Sequence, residues 1–135
     1  MKTAEKSLDI LLKTMQPIHN PGEFVFCTCK ELTAINSLDV ISIFKEQEGY
    51  TVILKKDKAD QLLLSYSFIA SWITLKVHSS LEAVGFTAAF SNVLASAGIS
   101  CNVVAACYHD HIFVKSADTK KAMDLLNSFS EIQTK

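Results

Sequence analysis

No two cysteines in this sequence have the spacing of a redox pair or a zinc knuckle: Cys27-x-Cys29 and Cys101-x5-Cys107 are the nearest pairs. Packed, reduced thiols are therefore the expectation. Only two prolines and four glycines interrupt 135 residues, and with 49% of them apolar a disordered protein is excluded. No basic stripe is present either. Thirteen Lys and Arg, scattered along the chain, face fourteen Asp and Glu, so nothing gathers to neutralise a phosphate backbone, and nucleic acid is not an expected partner. The longest nearly apolar stretch, Leu62 to Ile73, is broken by Ser65, Ser67 and Ser71 and is too short to span a bilayer. Met1-Lys2-Thr3-Ala4-Glu5-Lys6 contains no hydrophobic signal core, so a cytoplasmic protein without membrane contact is expected. A phosphate loop and a serine-centred nucleophile elbow are likewise missing.

What is present is apolar residue in quantity, 49% of the chain, enough to bury a core. Leu8, Leu11, Leu12 and Met15 make one stripe of a short helix, and Gln16-Pro17 and Asn20-Pro21-Gly22 are expected to end it before a strand over Glu23 to Cys29. Val40 to Phe44 and Tyr50 to Lys55, separated by Gln47-Glu48-Gly49, read as a hairpin. Asp57 is placed to cap a helix with Ala59, Leu62 and Leu63 inward, followed by a strand from Ser71 to His78. Phe86, Phe90, Val93, Leu94 and Ala97 then fall on one face of a helix, with Gly98 where a left-handed cap is needed. Ile99 to Tyr108 is expected as a strand, His109-Asp110 as a turn and His111 to Lys115 as the antiparallel partner. Asp118 would cap a last helix carrying Ala122, Leu125, Leu126 and Phe129.

The second half thus reads β-α-β-β-α, and the first half, from Glu23, β-loop-β-β-α. The endings V-I-L-K-K-D-K-A-D-Q-L-L and I-F-V-K-S-A-D-T-K-K-A-M-D-L-L are weakly alike, as in two units of one plan. In Trp72 to His78 the set Ile73, Leu75 and Val77 should face the helices. The opposite set begins with Trp72 and the next strand is largely apolar on both faces, which implies a second sheet packed there, from the other unit or from another subunit, and an oligomer, most simply a two-fold homodimer, is expected.

Residues 107–114, C-Y-H-D-H-I-F-V, concentrate chemistry. On an unbroken strand Cys107, His109 and His111 would share a face and could hold a transition metal. A turn at His109-Asp110 breaks that alternation, so a structural hairpin is expected and no metal.

Residues 77–114, V-H-S-S-L-E-A-V-G-F-T-A-A-F-S-N-V-L-A-S-A-G-I-S-C-N-V-V-A-A-C-Y-H-D-H-I-F-V, closely resemble the second unit of a bacterial family of small free-standing tandem ACT-domain proteins of unknown function. P-G-E-F-V-F-C-T at 21–28 resembles its first unit. The wider superfamily includes the regulatory tails of aspartate kinase and CASTOR-type sensors. The resemblance implies an α+β fold of two tandem ferredoxin-like (ACT-like) units with antiparallel sheets covered by helices: residues 1–66 with the N-terminal helix, and 67–135. It implies an amino-acid ligand at the interface between units, touching Ser79, Ser80, Glu82, Val84, Gly85 and Phe86 in the loop entering the helix, and Cys101 and Asn102 at the next strand. Asp110 falls where CASTOR-type units place an acid near the ligand. Of the Asp-x-Pro-Gly turn of many regulatory ACT domains, Glu82-Ala83-Val84-Gly85 keeps only the glycine.

Physical chemistry is compatible with those roles. A helix start offers N–H groups and a positive dipole end to a carboxylate, Gly85 permits close approach, and Asn102 both donates and accepts. The expected function is a non-catalytic regulatory or sensor protein binding an amino acid, with no cofactor. The alternatives are a purely structural dimerisation module and, less favoured, a cysteine-dependent enzyme with His109 or His111 as base.

Overall fold

The structure, a computed structural model, describes residues 7–77 and 83–133. Among the described residues there are four α-helices, α1 (Leu8–Thr14), α2 (Lys56–Gln61), α3 (Phe86–Ser96) and α4 (Thr119–Gln133), and six strands. These are β1 (Gln16–Cys29), β2 (Val40–Lys45), β3 (Tyr50–Lys55), β4 (Ile69–Lys76), β5 (Asn102–Ala105) and β6 (Asp110–Lys115). By compactness the chain divides into Met1–Asn20 with Trp72–Lys135, and Pro21–Ser71. Packing thus groups the N-terminal helix with the second half, whereas the division expected from the sequence follows chain order.

In the larger unit the strand order is β1-β4-β6-β5. Ile73 and Leu75 on β4, Val77 just after it, and Ile112 and Val114 on β6 lie in one core, where Leu11, Leu12, Phe86, Phe90, Leu94, Ala122 and Leu126 of the helices close over them. The three-and-four spacing of those helical residues produces this face. Phe86 and Phe90, one turn apart, meet edge to face at 5.2 Å. Helix α3 ends as its glycine requires: Gly98 adopts φ +78°, its N–H reaches Ala95 and the Ile99 N–H reaches Leu94.

In Pro21–Ser71 the order is β2-β3-β1, all antiparallel. Val25, Cys27, Val52, Leu54 and Ala59 form a smaller core. Gly49 turns the hairpin with φ +148°, and a Cβ there would stand 2.8 Å from the Cys29 carbonyl oxygen. On β2, Phe44 is 69% exposed, with Ile41 and Ile43 also open.

Several expectations are corrected. Strand β1 starts at Gln16 and runs through both prolines, and its pairing with β3 begins only at Phe24, so that ladder asks no N–H of Pro17 or Pro21. Asp57 lies inside the first turn of α2, whose cap is Lys55. The helix is only six residues long, so the chain leaves it at Leu62, and Leu63, with φ +56°, is exposed rather than inward. Strand β5 covers Asn102–Ala105 only, and the turn is centred on Cys107 and Tyr108, closed by the Ala106 N–H to the His109 carbonyl at 3.1 Å. Asp110 is therefore not in the turn but opens β6. No helix among the described residues is long and apolar enough to cross a membrane.

Candidate functional site

The connection into α3 is the centre of the expected site. Ser79, Ser80 and Glu82 lie outside the described residues. Val84 projects outward, 84% exposed, and Gly85 is the N-cap of α3 with φ +91° and ψ −13°. That left-handed conformation is what a side chain resists, so glycine is required for the entry angle. The first helical hydrogen bond runs from the Ala89 N–H to the Gly85 carbonyl at 2.9 Å. The N–H groups of Phe86, Thr87 and Ala88 consequently have no acceptor within the helix and point out of its positive end. The Phe86 side chain is buried and fixes this first turn to the core.

Cys101 and Asn102 follow the other end of the helix. Helix α3 is eleven residues long, hence about 16 Å from end to end, and the two groups cannot meet one small ligand within a single copy of the unit. Cys101 is half-buried against the core, and burial pushes its thiol up to about 11. Asn102 is exposed and donates from Nδ2 to the Phe113 carbonyl at 3.2 Å.

Asp110 is separated from Asn102 in a second way. The register pairs Asn102 with Phe113 and Ala105 with Asp110, three positions apart, about 10 Å along the ladder. Alternation then sets Asn102, Val104, His111 and Phe113 on one face and Asp110, Ile112 and Val114 on the helix-covered face. Asp110 is 7% exposed, and burial raises its carboxyl above the usual carboxylate range. The expected constellation is thus distributed over two ends and two faces.

Opposite the helices the same unit carries polar groups that the sequence did not single out together. Trp72 Nε1–H donates to His111 Nδ1 at 3.0 Å, the Thr74 hydroxyl lies 3.1 Å from the same nitrogen, and Asn20 Nδ2 donates to Thr74 Oγ1 at 2.9 Å. Trp72, expected as an outward apolar group, is half-buried within this chain of hydrogen bonds. His109 Nδ1 meets the Val77 carbonyl at 3.3 Å, which ties the turn before β6 to the end of β4. Alternation had placed Trp72 and Thr74 on one face; only strand order could add Asn20 and His111. Among the described residues no three His, Cys, Asp or Glu side chains gather closely enough to hold a metal ion. A cavity of about 410 Å³ opens in the other unit, lined by Thr28, Cys29, Lys30, Glu46, Glu48, Gly49 and Tyr50, none of them an expected site residue.

Comparison with known proteins agrees with this architecture. Residues 3–71 and 67–128 each match a family model described as ACT domain. A Vibrio cholerae protein of unknown function is 48% identical, over 93% of this chain and 97% of its own, with a TM-score of 0.83. An Agrobacterium tumefaciens protein is 19% identical over 86% of this chain and 89% of its own, with a TM-score of 0.69. The ligand-free regulatory subunit of aspartate kinase from Thermus thermophilus is 10% identical, over 87% of this chain and 97% of its own, with a TM-score of 0.65, a likeness of fold. No curated protein matches the sequence. Two successive matches and a relative of nearly half identity along almost the whole length establish that the chain belongs to the ACT domain family, as two ferredoxin-like ACT domains in tandem.

Proposed function

We propose that this protein is a non-catalytic sensor of a small amino acid, working in the cytoplasm as a homodimer. Family membership supports a regulatory, small-molecule-binding role. The observation that carries the finer reading is Gly85: a left-handed N-cap without a side chain, in front of the N–H groups of Phe86, Thr87 and Ala88 that have no helical acceptor. A carboxylate placed there meets converging donors and the positive end of α3, and the missing Cβ lets it approach. Ser79, Ser80, Glu82 and Val84 belong to the same connection.

Cys101 and Asn102 sit at the opposite end of α3, so in this reading they are contributed by the second copy of the chain, where the Asn102 amide meets the ammonium. Asp110 opens β6 on the helix-covered face and is the group that would favour a basic side chain. The apolar residues left open on β2, Ile41, Ile43 and Phe44, support association of copies. For the cysteine-enzyme alternative the two thiols shifted by their surroundings are shifted the wrong way. Cys27 is raised by burial, then by Cys29 and Asp60, and Cys101 by burial, whereas a nucleophile needs a lowered thiol.

A thermal-shift screen of the intact protein against amino acids and common nucleotides tests the proposal, since a ligand that binds only the folded state raises the melting temperature. Subunit complementation tests the shared site. A Gly85→Val chain should fail to bind and an Asn102→Ala chain should bind more weakly, and mixing them should restore one site of wild-type affinity in the mixed dimer. Stabilisation by nucleotides alone, or no restoration on mixing, would contradict it.

A further inference from the structure

The hydrogen bonds around His111 fix its protonation state. An indole N–H only donates, so Nδ1, 3.0 Å from Trp72 Nε1, accepts, and the neutral ring carries its hydrogen on Nε2. Asn20 Nδ2 donates both to the Trp72 carbonyl at 3.2 Å and to Thr74 Oγ1 at 2.9 Å. The Thr74 hydroxyl, already an acceptor, directs its own hydrogen to the same Nδ1 at 3.1 Å. Donors on β1 and β4 therefore all run towards one lone pair on β6.

We propose that His111 is a proton-operated latch: protonation of Nδ1 sets an N–H against the Trp72 N–H and opens the chain Asn20–Thr74–His111–Trp72 that ties β1, β4 and β6 together. Thr74 can answer by rotating its hydroxyl to present oxygen. Trp72 cannot, because indole has no acceptor, so its ring must swing away from His111, from which it stands 5.7 Å centre to centre, and from Phe113, on which it stacks at 6.3 Å.

The surroundings hold the latch shut at neutral pH. From β4 the ring meets Trp72 and Thr74, with exposed Lys76 further along the same face; from β1 it meets Asn20 through Thr74; from β5 it is paired with Val104. The titratable neighbour is His109, on the turn into β6, its ring centre 6.5 Å away. Burial, and after it the like charge of His109, hold the His111 imidazole below its ordinary 6.5. The sign follows: the latch contributes its full stability above the ordinary imidazole value and loses it as pH falls through the folded value, because the unfolded chain takes up the proton first.

Trp72 is the single tryptophan, so its fluorescence reads the latch directly. Titrating the intact protein from about pH 8 to pH 4.5 should give a one-proton change in Trp72 emission, with a midpoint below 6.5, while the helical circular dichroism stays constant. His111→Gln, whose amide oxygen accepts from Trp72 but takes no proton, should abolish the change. His109→Gln should keep it and move its midpoint upward. Nitrogen-15 spectra of the wild-type imidazoles should show His111 with hydrogen on Nε2 at neutral pH, a readout independent of any variant's folding. A change that persists in His111→Gln, a flat titration of the folded wild type, or an Nδ1–H tautomer would each overturn the latch.

Discussion

Gly85→Ala separates the two things asked of the glycine at the start of α3. The φ of +91° costs an L-residue about 1–2 kcal/mol relative to glycine. Space adds little, because a Cβ there would meet only the Leu8 Cδ2 at 3.4 Å, the end of a side chain that can turn aside. Gly98 is the internal control: φ is +78° and a Cβ would find nothing within 4 Å. Both alanine variants should therefore lose a similar 1–2 kcal/mol, roughly 3–5 °C per kcal/mol for a chain of this size, measured by urea unfolding followed at a helical wavelength. Their ligand responses should diverge. Gly98→Ala should bind amino acid as the wild type does, corrected for stability, whereas Gly85→Ala should lose about tenfold or more if a carboxylate approaches the helix start as proposed. Equal binding by the two variants would rule out a ligand at the Gly85 helix start, and a Gly85→Ala loss of stability far above that of Gly98→Ala would show that the added methyl group is not tolerated there.

Further outcomes follow from the same geometry. Asp110→Asn should raise stability at neutral pH, because the folded carboxyl is held above its ordinary 3.8: the wild type loses stability as pH rises from that value through the raised one, and the variant does not. Urea midpoints between pH 3 and pH 7 check this, and a less stable variant at pH 7 would contradict it. Phe90→Ala removes a fully buried ring and its edge contact with Phe86, and should cost about 3–5 kcal/mol in the same assay. Asn102→Ala should weaken every amino acid alike by about 1–3 kcal/mol in calorimetry, whereas Asp110→Asn should weaken basic ones selectively. In sedimentation the protein should run at about twice 14.9 kDa, and Phe44→Lys should shift it towards the monomer.

The parts of the fold that were legible in the sequence are those where one local pattern decides. Phe86, Phe90 and Leu94 could bury together only on a helix, and Gly98 had to end it; Tyr50 to Lys55 could pair back on Val40 to Lys45 across Gly49. What misled was local chemistry overridden by position in a sheet. Pro17 and Pro21 look like breakers, yet they sit where β1 owes β3 no hydrogen bond. Asp110 looks like a turn residue beside His109, yet the tighter turn at Cys107 and Tyr108 leaves it free to begin β6, buried. The candidate site was legible as residues and not as an arrangement. Gly85 and Asn102 are close in sequence because one helix connects them, and for the same reason they lie a helix length apart. His111 was visible only as one of two imidazoles near a turn, because its partners Trp72, Thr74 and Asn20 come from strands that no periodicity orders.

Isothermal calorimetry of the intact protein with each proteinogenic amino acid asks whether it is a sensor at all. At least one should bind with a dissociation constant below about 1 mM and one ligand per chain, and Gly85→Val should remove the heat. If no amino acid binds the folded wild type in that range, the protein is not an amino-acid sensor, and a structural dimer takes its place.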